Sequence, residues 1–178
     1  MHVINTKFKG LKIIHQKKIG DSRGNLRETF RKKIIKWDNL IFDYTTVSKK
    51  NVLRGFHFNS KFPQAKFVTV LKGKILDYVI DLRKKSKTFG KSFSIILSDS
   101  NCKSLYIPKG FAHAYYSFSS LNIIYYKLSN YYHPKYENGI LWNDKYLRIK
   151  WPTTKPIVSK KDKKLGTFIE FKKIYKAL

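Results

Sequence analysis

The stretch from Val52 to Lys66, VLRGFHFNSKFPQAK, holds an arginine, a glycine and a lone histidine on what reads as one strand. A lysine follows after a short Pro-containing turn. Arginine and lysine bind anions and stabilise oxyanions, and histidine is the side chain best suited to move protons near neutral pH. Fifteen residues therefore carry the elements of a proton-transfer site for an anionic substrate. Such a site needs partners from elsewhere in the chain, since proton transfer requires an orienting group for the base and an opposing acid.

The elements that must position these residues are mostly strands. KFVTVLKGKILDYVIDLR (66–83) reads as two strands joined in a hairpin at Lys72-Gly73. SFSIILS (92–98), SLYIP (104–108), AYYSFS (114–119) and NIIYYKLS (122–129) are further strands. Their spacing of about 8–12 residues is that of sandwiches and barrels. Helical patterning is confined to Arg31–Lys36 and to the C-terminal KKDKKLGTFIEFKKIYKAL. The start of the chain, VINTKFKGLKIIHQKKI, alternates as an edge strand does. One all-β domain over 1–178 with a short C-terminal helical appendage is the expectation.

Composition bounds the function. At 178 residues, 42% hydrophobic and 16% aromatic, the chain can bury a core. Its single cysteine, Cys102, excludes an internal disulfide and a cysteine-based metal cage. Neither an apolar leader in MHVINTKFKG nor an 18-residue apolar run is present, so a soluble, cytoplasmic protein with no membrane partner is expected. The formal charge of +27 invites a nucleic-acid reading. The basic groups KKIIK (32–36), RKKSK (83–87) and SKKDKK (159–164) lie in separate segments, however, and no nucleic-acid motif accompanies them. The abundance of Ile, Asn, Tyr and Phe beside Lys points to drift in an AT-rich genome. A basic nucleotide- or nucleic-acid-binding protein without catalysis is the competing class, and it predicts steeply salt-dependent binding. A metal-dependent enzyme would need a second ligand close to His57 on its strand, whereas Phe58 and Asn59 follow it, so no metal and no cofactor are expected.

Eight signatures, two of them within Val52–Lys66, occur in order: DSRG with a following Glu, VLRGFH, QAK, DLRKKSKTFG, IPKGFAH, YKxSxYYxPxxExGIxWND, IxWP and SxKD. Through these the chain resembles the dTDP-4-dehydrorhamnose 3,5-epimerases, a metal-free branch of the cupins, from about residue 4 to residue 165. The resemblance implies a cupin-type double-stranded β-helix, or jelly-roll barrel. It implies epimerisation at C3 and C5 of a dTDP-linked 4-keto-6-deoxy sugar, or at one of these carbons alone. In register with the family, His57 matches the base, Asp162 the carboxylate that orients it, Tyr126 the proton donor and Lys66 the enolate stabiliser. Arg23, Glu28, Arg54, His113, Glu137 and Lys161 match positions that hold the nucleotide sugar, and Tyr132 matches the residue that stacks on the thymine ring. A homodimer with exchange of N-terminal strands is also implied, and rhamnose supply for lipopolysaccharide or another glycan is the favoured pathway. Two departures stand out. Phe42 and Tyr44 in FDYTTVS (42–48) occupy positions that are usually polar, and Asn59 stands where Gln is usual. Both are expected to alter recognition of the sugar.

Overall fold

The computed structural model describes residues 1–175. Its strands are β1 (His2–Asn5), β2 (Lys12–His15), β3 (Lys18–Asp21), β4 (Gly24–Arg27), β5 (Phe42–Ser48), β6 (Leu53–Asn59) and β7 (Lys66–Lys72). They continue with β8 (Lys74–Asp81), β9 (Ser92–Ser98), β10 (Lys103–Ile107), β11 (Phe111–Ser117), β12 (Asn122–Leu128) and β13 (Glu137–Gly139). One helix, α1, spans Phe168–Ile174 behind a capping box of Thr167 and Glu170. Residues 176–178 of the expected helical stretch lie outside the described residues.

A six-stranded sheet in the order β1-β2-β10-β7-β12-β5 faces a five-stranded sheet in the order β13-β6-β11-β8-β9. This is the expected all-β jelly roll with a C-terminal helix, and β1 is the edge strand foreseen for the N-terminus. β3 and β4 form a separate two-stranded hairpin. No helix among the described residues is long and apolar enough to cross a membrane.

Apolar burial explains the layering. Between the sheets, Val68, Val70, Leu105 and Ile124 meet Ile75, Val79, Leu97 and Phe111. The outer face of the five-stranded sheet is covered by Phe168 and Phe171 of α1, packed on Phe56, Phe58, Ile80 and Ala114. The outer face of the six-stranded sheet is covered by the 30–40 segment, which seats Ile35 beside Ile14, Phe67 and Tyr106. β11 is consequently buried along its whole length, which is why FAHAYYS reads as a continuous rather than alternating run.

Two expectations are corrected. β7 and β8 do not form a hairpin; they belong to opposite sheets. Gly73, at φ +88°, turns the chain from one sheet to the other, and a Cβ there would lie 2.4 Å from the carbonyl oxygen of Leu121. The Lys-Gly signal marked a corner of the sandwich, because each strand buries its apolar face on a different partner. Arg31–Lys36 is a turn rather than a helix: the N–H groups of Ile34 and Ile35 both donate to the Arg31 carbonyl at 3.0 Å. Burying Ile35 on the sheet takes precedence over helical propensity.

Candidate active site

His57 is positioned by a close approach of two strands. Gly55 adopts φ +112°, and a Cβ there would lie 2.5 Å from the His113 carbonyl oxygen. Only glycine lets β6 lie this close to β11. His57 and His113 are direct cross-strand partners as a result. The segment that carries Asp162 is tied to the start of β6, since Leu53 N–H donates to Ile157 O at 2.9 Å and Ile157 N–H to Asn51 O at 2.8 Å. Asp162 Oδ1 thereby meets His57 Nε2 at 2.8 Å, and its Oδ2 accepts the Gly55 N–H at 3.2 Å. Burial alone would raise the Asp162 pKa, but the His57 contact and the Gly55 N–H outweigh it and hold the carboxyl below its usual range. An ionised carboxylate only accepts, so it fixes the proton on Nε2 and leaves Nδ1 as the basic nitrogen.

The opposing sheet supplies Tyr126 and Lys66. Tyr126 on β12 and Lys66 at the start of β7 line the same cavity as His57, a space of about 390 Å³. Burial pushes the Tyr126 phenol well above its usual pKa, helped by Tyr115, Tyr44 and Asp77, so it stays protonated. Lys66 is half-buried, and burial lowers its pKa to about 8 although Glu137 and Asp77 pull upward. His57 and Tyr126 therefore reach one cavity from opposite sheets, with the Lys66 ammonium beside them.

Other expected residues divide into three groups. Arg54, His113, Tyr132 and Glu137 line the cavity. Arg54 is held by bonds from Nε to Ser48 Oγ at 3.1 Å and from Nη2 to Val47 O at 3.2 Å. His113 Nε2 is engaged by Asp77 at 2.8 Å, with both residues buried. At the rim, Tyr132 Oη donates to Glu137 Oε2 at 2.9 Å, and Lys161 bonds the same oxygen. Burial would raise the Glu137 pKa, but Lys161, His57 and Tyr132 bring it below the usual value. Asp162 stands behind His57 and does not line the cavity. Arg23 and Glu28 lie outside it altogether in the single chain. Arg23 is at the tip of the β3–β4 hairpin, its side chain 89% exposed and paired with Asp21 at 2.7 Å. Glu28 pairs with Arg31 at 2.5 Å.

Several residues of the site were not foreseen. Asp77 is one, and its signal was an acid inside the apolar strand KILDYVID. Its carboxyl pKa is pushed up by burial, against the pull of His113 and Lys66, and Oδ1 has no partner among the described residues. Tyr115 is another; its hydroxyl bonds Ser48 Oγ at 2.8 Å and Thr46 Oγ1 at 3.1 Å. Gln64, from the QAK signature, braces the wall by donating to Asn130 O and Tyr131 O. Of the two departures, Phe42 and Tyr44 do line the cavity. Asn59 does not. Its Oδ1 accepts the N–H groups of Lys61 and Phe62 at 3.2 and 2.8 Å, so it braces the turn before Lys66. The change from Gln at this position therefore acts on the turn, not on the sugar directly. Among the described residues, no three His, Cys, Asp or Glu side chains are grouped as a metal set.

Comparison with known proteins gives the chain its relatives. Residues 5–170 match the family model for dTDP-4-dehydrorhamnose 3,5-epimerase. The chain is 39% identical over 167 residues to the dTDP-4-dehydrorhamnose 3,5-epimerase of Methanothermobacter thermautotrophicus, covering 90% of each chain. It is 37% identical over 177 residues to that of Escherichia coli K12, covering 96% of each. Among solved structures it resembles the dTDP-6-deoxy-D-glucose-3,5-epimerase of Legionella pneumophila in complex with dTDP-4-keto-L-rhamnose. That likeness has a TM-score of 0.88 and 38% identity, covering 93% of this chain and 92% of the other. The chain belongs to the dTDP-4-dehydrorhamnose 3,5-epimerase family.

Proposed function

We propose that the protein is an isomerase that inverts C3 and C5 of a dTDP-linked 4-keto-6-deoxyhexose, converting dTDP-4-dehydro-6-deoxyglucose into dTDP-4-dehydrorhamnose. The carrying observation is the placement of His57, with Asp162 behind it, on one wall of the cavity and Tyr126 with Lys66 on the other. A carbon next to a ketone loses its proton to His57 Nδ1, and the electron pair moves onto the C4 oxygen. The Lys66 ammonium neutralises the enolate charge as it develops. Tyr126 then returns a proton to the opposite face of the same carbon, which inverts it. Exchange of both groups with water restores the starting protonation before the second carbon is processed.

The nucleotide is held by the remaining polar groups of this reading. Tyr132 stacks on the base, a contact tolerant of base identity. Arg54 and His113 face the diphosphate or sugar hydroxyls, while Glu137 and Lys161 close the rim. A diphosphate calls for more cation than Arg54 supplies alone, and Arg23 stands exposed on a projecting hairpin whose Ile19 and Leu26 are also exposed. We therefore propose a homodimer in which each β3–β4 hairpin brings Arg23 and Glu28 to the partner's cavity. Cytoplasmic action on a sugar nucleotide completes the proposal. Light scattering on a chromatography column tests the assembly, and a monomer that still binds dTDP tightly would remove the hairpin from the site.

The test of the chemistry is incubation with dTDP-4-keto-6-deoxyglucose in D2O, followed by NMR. Deuterium at both C3 and C5 is expected, and deuterium at only one of them identifies a single-carbon epimerase. Exchange at neither carbon overturns the proposal for this substrate.

A further inference from the structure

Tyr44 sits on β5, the edge strand of the six-stranded sheet, directly opposite Tyr126. The two rings stack with centroids 4.9 Å apart and planes at 20°. From the facing sheet the His113 ring approaches Tyr126 at 6.0 Å and 68°. Phe42 backs Tyr44 at 5.7 Å, and Tyr131 backs Phe42 at 6.0 Å. A row of rings thus runs from the rim to the phenol at the cavity wall. The position of Tyr44 is one where the resemblance leads to a polar side chain, which could not stack in this way.

Proton return requires the Tyr126 hydroxyl to stay in line with the reacting carbon. Rotation about χ1 would swing it aside, and a misplacement of about 1 Å is enough to slow such a step severely. Within the sheet Tyr44 flanks the ring on one side and Val68 on the other, while the His113 edge faces it from the opposite sheet. His113 is itself pinned by Asp77 at 2.8 Å, so its edge is a fixed stop. Tyr44 is 37% exposed, and the remaining confinement of Tyr126 comes from the sheet.

We propose that Tyr44 is a positioning residue that holds the Tyr126 ring in its proton-donating orientation. The inference rests on the epimerase reading above. The test compares wild type with Tyr44→Leu and Tyr44→Phe in the D2O exchange assay, with kcat and KM measured separately. Loss of an aromatic stack predicts a fall in kcat of about tenfold for Tyr44→Leu, separate from any change in KM that follows from the altered cavity lining. Tyr44→Phe keeps the ring and recovers most of that loss. Tyr44→Met, apolar but ringless, serves if the leucine variant does not fold, and dTDP titration confirms an intact cavity. A leucine or methionine variant with wild-type kcat overturns the inference while leaving the epimerase reading standing. A phenylalanine variant as slow as the leucine one assigns the effect to the hydroxyl and also overturns it. A wild type that exchanges at neither carbon overturns both readings together.

Discussion

An Asp162→Asn substitution keeps the side-chain shape but removes the charge beside His57. The geometry dictates what the amide would do. Gly55 N–H, 3.2 Å from Oδ2, needs an acceptor and takes the amide oxygen. The amide NH2 then faces His57 Nε2, 2.8 Å from Oδ1, and donates to it. That reverses the tautomer: Nε2 becomes the acceptor and Nδ1 carries the proton, so Nδ1 can no longer act as base. A charge-assisted hydrogen bond contributes about 1.5–3 kcal/mol net, equal to roughly 10- to 150-fold in rate. Loss of general-base catalysis extends the range to about 10⁴-fold. A fall in kcat of roughly 10²- to 10⁴-fold is expected, with KM little changed because Asp162 does not line the cavity. The assay is initial-rate deuterium incorporation by mass spectrometry between about pH 6 and pH 9, beside calorimetric titration with dTDP. A variant within about twofold of wild-type kcat over this range would refute the assignment of His57 as a base oriented by Asp162.

Other outcomes follow from the same geometry. Lys66 has its pKa lowered by burial to about 8, so its ammonium is lost, and kcat/KM falls, as pH rises through that value. Stability moves the opposite way: between about 8 and the ordinary 10.5 the unfolded chain holds a proton that the folded chain does not, so this group's contribution rises with pH. Lys66→Met should remove both trends, read from a pH–rate profile and from urea melts. Tyr126→Phe should lower inversion by about 10²-fold or more while leaving dTDP affinity near wild type, because the phenol supplies the proton and its ring keeps the packing. Gly73→Ala forces a side chain into φ +88° and 2.4 Å from Leu121 O; a loss of roughly 2–4 kcal/mol is expected, lowering the melting temperature by about 5–15 °C. An unchanged melting temperature would show that the corner between β7 and β8 relaxes freely.

The strands of this protein were legible in its sequence because period-2 burial leaves a local trace, and the order of the short signatures carried the family. His57, Lys66, Tyr126 and Asp162 could be picked out because each lies in a dense motif. What is not local was not legible. Lys72-Gly73 has the composition of a hairpin, yet β7 and β8 part into opposite sheets, since which apolar faces meet is decided by long-range packing. Asp77, an acid inside an apolar strand, gained a place in the site only when the fold set it beside His113. Asn59, read as a change in the sugar pocket, proved to brace a turn, because a side chain's direction depends on its local backbone. The sequence accounts for the chemistry available to this chain; tertiary structure alone places His57, the proposed base, on one sheet and Tyr126, the proposed acid, on the other. Inversion depends on that separation across the cavity, and no spacing along the chain encodes it.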